Sequence, residues 1–120
     1  MCVDDHPLMH SGIRALVESQ PDMAIVGAVS KAGDALPCFR ENTPDVTLMD
    51  LRLPDGNGID TMISILNEFP AARVIILTMF EGDVEIQRAL KSGARGYILK
   101  NMPPEDLLQM IRTVFAGKKR

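Results

Sequence analysis

The sequence has no excess of positive charge: 13 Lys and Arg stand against 16 Asp and Glu, a formal charge of −3. That balance gives no broad attraction to DNA or acidic membranes, so direct nucleic-acid binding by this segment is not expected. Cysteine is scarce. Cys2 and Cys38 form no CxxC or metal-binding spacing, and such usage suits a reducing cytosol, with both thiols free and mostly buried. No apolar run approaches the roughly 18 to 20 residues of a membrane span, and no charged stretch leading into an apolar one opens the chain. The protein is expected to be soluble, unexported and cytoplasmic. Repeats, linkers and low-complexity tracts are missing too. With 120 residues and 46% hydrophobic content, the chain makes one domain with room for a core.

What is present is an alternation. Met1-Cys2-Val3 is apolar and runs into Asp4-Asp5-His6, after which Pro7, Leu8, Met9, Ile13, Leu16 and Val17 follow helical spacing until Gln20-Pro21-Asp22. Met23 to Val29 reads as a short strand, and Ser30 as the cap of a second helix that reaches about Asn42 and is disturbed at Pro37. Val46 to Asp50 is short, largely apolar and bounded by turn residues, which predicts a buried parallel strand. Ile59, Met62, Ile63, Leu66 and Phe69 give a third helix closed by Pro70. Val74 to Leu77 is a strand ending at Thr78, and Met79-Phe80-Glu81-Gly82 turns into a helix from about Asp83 to Ser92, stopped by Gly93. Gly96 to Leu99 makes a last strand ending at Lys100, and Pro103-Pro104-Glu105-Asp106 opens a helix to about Ala116. Five strand–helix alternations predict an α/β domain, a parallel sheet covered on both faces through right-handed crossovers. The first strand reads as truncated, since strands commonly run about five or six residues and only three precede the acidic pair.

Asp50 alone supports two readings equally, a functional acid at a strand end and a loop acid capping the next helix. The strand ends taken together decide between them. Asp4, Asp5, Asp50, Thr78 and Lys100 all fall at the edge where open α/β sheets bind ligands. Clustered carboxylates repel one another unless a cation neutralises them, and an all-oxygen set with room for water favours Mg²⁺. An ammonium and a hydroxyl opposite such an ion suit a transferring phosphoryl group, and an aspartate can be its nucleophile.

This constellation, with Asp4-Asp5-His6-Pro7 and Leu77-Thr78-Met79, resembles the response-regulator receiver domain, CheY-like in fold, and within it the NarL/FixJ branch with LuxR-type outputs. The resemblance covers essentially residues 1–120. It implies a flavodoxin-like (βα)5 doubly wound sheet in the strand order 2-1-3-4-5. By resemblance Asp50 is the phosphoacceptor for a histidine kinase, and Mg²⁺ is held by Asp4, Asp5, Asp50 and the backbone carbonyl of Arg52. Thr78 and Lys100 contact the phosphoryl group, and Tyr97 is the aromatic switch residue coupled to Thr78. The implied protein is a phosphorylation switch rather than an enzyme acting on other substrates. Its homodimer face is formed by the fourth helix, fifth strand and fifth helix, and its output is transcription through a DNA-binding domain not in this chain. The alternative of the same fold is an interaction module independent of phosphorylation. An aspartyl phosphatase would need Asp-x-Asp, and Arg52 occupies the second acidic position.

Blander readings hold elsewhere. His6 and His10 lie four apart but lack a further nitrogen or sulfur ligand, so neither is read as a metal ligand. The eight methionines are read as packing, largely at helical core positions. Asp55-Gly56-Asn57-Gly58-Ile59-Asp60 resembles a calcium loop out of register and is read as a turn. Lys118-Lys119-Arg120 is read as a solvated helix end or the start of a linker.

Overall fold

Alternation along each strand sends successive side chains to opposite faces. Val3, Met49, Val74 and Ile76 enter one apolar layer, while Cys2, Leu48, Ile75, Leu77 and Ile98 enter the other. The structure, a computed structural model, describes residues 1–79 and 82–117. In chain order these form β1 (Cys2–Val3), α1 (Pro7–Glu18), β2 (Ala28–Val29), α2 (Ala32–Asn42) and β3 (Thr47–Asp50). Then come β4 (Arg52–Leu53), β5 (Gly56–Asn57), α3 (Gly58–Glu68), β6 (Val74–Thr78), α4 (Val84–Lys91), β7 (Gly96–Leu99) and α5 (Pro104–Phe115). The main sheet is parallel throughout, in the order β2-β1-β3-β6-β7. Counting its own strands only, this is the expected 2-1-3-4-5.

Ile13 and Val17 of α1 and Leu107 and Val114 of α5 cover one face. Phe39 of α2, Ile59, Met62 and Ile65 of α3 and Ala89 of α4 cover the other. Burying a large aliphatic side chain contributes about 1.5 to 3 kcal/mol, so two filled layers hold the strand ends in fixed relation.

Three local expectations are corrected. The strand expected over Met23 to Val29 contracts to Ala28–Val29, because β1 pairs only at Cys2↔Ala28 and Val3↔Val29, with the Gly27 carbonyl accepting the Cys2 amide just before them. Ser30 does not cap α2. Lys31 holds the cap position without a side-chain bond, and the free amides of Ala32 and Gly33 donate instead to the Asp55 carboxylate at 2.7 and 3.0 Å. Pro37 leaves α2 continuous, since in the second turn it removes only one helical hydrogen bond.

Of the turn expected over Asp55 to Asp60, only Asp55, with Pro54 before it, is one: Gly56–Asn57 form β5, antiparallel to β4, and Gly58 starts α3, which Asn57 caps by accepting from the Asp60 amide at 2.8 Å. Both cysteines are free, Cys2 buried and Cys38 partly so; burial pushes the Cys2 thiol up to about 12. Methionine does pack, but only Met9, Met62 and Met110 are helical, Met49 belongs to β3, and Met79 is 60% exposed. The Phe80-Glu81 part of the turn after β6 and Lys118-Lys119-Arg120 lie outside the described residues. No helix among the described residues is long and apolar enough to cross a membrane.

Candidate functional site

Parallel strands bring their carboxyl ends to one edge. Val3 of β1 lies beside Met49 of β3, so the next residues, Asp4 and Asp50, face each other across the crevice where the chain's direction of winding reverses. Both are buried, at 0% and 5% exposure, while Asp5 stands at the rim with its side chain 35% exposed. Thr78 ends β6 and is buried. Lys100 follows β7, its amide donating to the Thr78 carbonyl at 2.8 Å. From there its ammonium reaches Asp50 Oδ2 at 2.8 Å and Asp4 Oδ2 at 2.9 Å. The Arg52 amide donates to Asp50 Oδ1 at 3.2 Å.

Tyr97 is set apart from this cluster. It is half-buried against the apolar layer shared with α3 and α4, and its hydroxyl makes no hydrogen bond among the described residues.

The electrostatics divide the two buried acids. Burial opposes ionisation of Asp4, but Lys100 and the His6 amide and ring overcome it and hold that carboxyl below its ordinary value. Burial dominates at Asp50, with Asp4 adding repulsion, so Asp50 is raised despite Lys100 and the Arg52 amide. Burial alone would lower Lys100, yet the carboxylates of Asp50 and Asp4 raise it, so the ammonium stays charged. Asp50 is therefore the more basic and more nucleophilic acid of the pair.

Sequence reasoning set His6 aside, and the geometry brings it in. The Asp4 carboxylate accepts the His6 amide at 2.8 Å, a local turn that swings the ring over the acids. His6 Nδ1 lies 2.8 Å from Asp4 Oδ1, 3.3 Å from Asp5 Oδ1 and 3.8 Å from Asp50 Oδ2. It is also 3.1 Å from the Lys100 ammonium, so it donates to Asp4 in one tautomer and accepts from Lys100 in the other. The signal in the sequence was adjacency to the acidic pair. His10 stays a bystander, its Nε2 donating to the Asp4 backbone carbonyl. Asp83 was also missed: its carboxylate holds the Arg52 guanidinium at 2.6 Å and caps α4 through the Glu85 amide at 3.0 Å.

The donor set suits a divalent cation. Ligand atoms of Asp4, Asp5, His6 and Asp50 lie within 4.8 Å of one another. Asp4 Oδ2 is buried and makes no hydrogen bond; its contact with Lys100 is one of charge, with a lone pair left over. A hard ion that prefers oxygen answers both the free lone pair and the repulsion felt by Asp50. A cavity of about 440 Å³ lies elsewhere, lined by Met1, Val17, Ile25 and Phe115. It holds none of these polar groups, so chemistry rather than volume locates the site.

The family model of the response regulator receiver domain matches residues 1–112. The chain belongs to that family. Among curated relatives, the receiver domain is 38% identical over 116 residues to the oxygen regulatory protein NreC of Staphylococcus haemolyticus, covering 96% of this chain and 54% of NreC. It is 32% identical over 118 residues to the nitrate/nitrite response regulator protein NarL of Escherichia coli K12, covering 98% of this chain and 55% of NarL. The chain thus spans about half the length of these relatives.

A crystal structure of a LuxR-family two-component response regulator from Aurantimonas sp. SI85-9A1 superposes with a TM-score of 0.93 at 40% identity, over 99% of this chain and 85% of that one. The isolated receiver domain of RcsB from Salmonella enterica serovar Typhimurium, solved with the phosphomimetic BeF3⁻, gives 0.89 at 28% identity, over 99% and 88%. The expected fold and the LuxR-type branch are both borne out. Receiver domains are the signal-receiving modules of two-component systems and interact with histidine kinases.

Proposed function

We propose that Asp50 accepts a phosphoryl group from the phosphohistidine of a sensor kinase and that the acyl phosphate switches the domain between two conformations. An Asp50 oxygen attacks phosphorus, the P–N bond breaks, and the departing imidazole takes up a proton. Lys100 holds charge on the attacked group through the contact it already makes with Asp50, and the Thr78 hydroxyl donates to a phosphoryl oxygen. Asp4, Asp5, Asp50 and the Arg52 carbonyl would hold Mg²⁺, with His6 at its margin. When bound, Mg²⁺ neutralises the acids and accepts a phosphoryl oxygen.

The modified state biases a two-state element, with Tyr97 reporting on Thr78 and the face of α4, β7 and α5 forming a homodimer contact. In the longer protein, placed in the cytoplasm, that contact would control a LuxR-type DNA-binding domain and hence transcription. No turnover of other substrates is part of this reading, only the domain's own phosphorylation and dephosphorylation. The observation that carries it is the buried, basic Asp50 paired at 2.8 Å with the Lys100 ammonium.

Intact mass after incubation with a small phosphodonor and Mg²⁺ tests it. One added phosphoryl group on the parent and none on Asp50→Asn is expected. An unmodified parent that also fails to bind beryllofluoride would sink the proposal and favour an interaction module that does not use phosphorylation.

A further inference from the structure

Asp83 gathers more donors than a helix cap needs. Its Oδ1 accepts the Glu85 amide at 3.0 Å and so caps α4. The same carboxylate takes Arg52 Nη1 at 2.6 Å and Nη2 at 3.5 Å, and Arg52, the Glu85 amide and the Thr78 side chain together hold it below its ordinary value. Asn or Ser would cap the helix as well; only a carboxylate adds an ion pair. The Asp83 side chain is 5% exposed, so its partners rather than water satisfy it.

Arg52 and Thr78 both come from the rim of the acidic crevice. The Arg52 amide donates to Asp50 Oδ1, and Thr78 ends the strand that pairs with β3. Both side chains are also suited to a phosphoryl group at Asp50. Such a group adds up to about two negative charges and three acceptor oxygens. A guanidinium prefers the fork of a phosphate to a single carboxylate edge, and a hydroxyl has one proton to donate, so it serves one acceptor at a time.

We infer that Asp83 is a positioning residue, which holds Arg52 and Thr78 against the start of α4 while Asp50 is unmodified and loses them to the phosphoryl group once it is made. The N-terminus of α4 is thereby tied to the state of Asp50 through a carboxylate that touches neither the phosphoryl group nor the metal. Losing its partners leaves that carboxylate short of donors, which costs free energy unless the helix start moves toward water. Because the cost is met each time the switch closes, the brace lowers the affinity of the crevice for a phosphoryl group, and by linkage a phosphoryl group loosens the brace. The inference rests on Asp50 as the phosphoacceptor.

The test is a beryllofluoride titration of the full chain with Mg²⁺, followed by amide-resolved NMR, for the parent, Asp83→Asn and Arg52→Lys. Asparagine keeps the cap acceptor and removes the charge. Asp83→Asn is expected to bind beryllofluoride about 5-fold more tightly, the size of ordinary site-to-site coupling. Its free Glu85 and Ile86 amides should already be displaced toward the positions that the parent reaches only when bound. Arg52→Lys keeps the charge but loses the fork that grips Asp83, so its free Glu85 and Ile86 amides should be displaced in the same direction as those of Asp83→Asn. A merely structural Asp83 would give unchanged or weaker binding, and that result, with α4 amides unmoved, overturns the inference alone. A parent that takes no beryllofluoride overturns both this inference and the phosphoacceptor reading.

Discussion

Asp4 and Asp50 are neighbours in space with opposite perturbations, and the difference has a measurable consequence for stability. Asp4 lies below its ordinary value, so its contribution is present at neutral pH and is lost only as pH falls through that depressed folded value. Asp50 lies above its ordinary value, chiefly through burial. Its protonated form is favoured by folding, so its contribution is present below the ordinary carboxylate range and is lost as pH rises through the raised folded value. At neutral pH the ionised Asp50 is a net cost. Asp50→Asn is therefore expected to melt at a higher temperature than the parent in Mg²⁺-free buffer near neutral pH, with the gap closing on acidification. A thermal melt series against pH reads this directly. A gap that grows as pH falls would mean that the Lys100 pairing, rather than burial, governs Asp50.

At the scale of elements, the crevice depends on how closely α3 starts beneath β3. The Gly58 amide donates to the Leu51 carbonyl at 2.8 Å, and a Cβ on Gly58 would lie 2.0 Å from the Asp50 carbonyl oxygen. The two nearest atoms are Asp50 backbone, which cannot turn aside as the end of a side chain could. Gly58→Ala is expected to destabilise by about 2 to 3 kcal/mol, as overpacked cores do, and to shift Asp50 with it. Urea unfolding gives the first quantity, and the beryllofluoride affinity of the folded variant gives the second. An alanine variant with parent stability and parent affinity would show that α3 can slide.

Such contacts mark what the sequence conceals. Asp4, Asp50, Thr78 and Lys100 were legible because each follows an apolar run and parallel strands share an end. Asp55 binds Ala32 across 23 positions, and Asp83 binds Arg52 across 31; neither pairing leaves a periodic trace. The strand expected from Met23 failed for a related reason, since β pairing is decided by a neighbour and not by the run itself. The hydrogen bonds of His6 to Asp4 were missed because ligand spacing was weighed and the turn at Asp4 was not.

Across the whole molecule the helices are anchored unequally. In α3, Ile59, Met62 and Ile65 are at most 1% exposed. In α4 only Ile86 and Ala89 are buried, and Val84 at its start is 82% exposed. The start of α4 is therefore held more by Asp83 and its polar partners than by apolar burial. Regions with few buried apolar contacts open below the global unfolding free energy. Amide hydrogen exchange should accordingly be faster in α4 than in α3 by a factor of about 100 or more, with α3 exchanging near the global limit. The same gradient suits a switch: a helix that opens cheaply can be moved by a change of charge at Asp50, whereas moving α3 would disrupt the core. Equal protection in the two helices would place the mobile element elsewhere, and the β6–α4 coupling would then have to act by displacing a rigid α4.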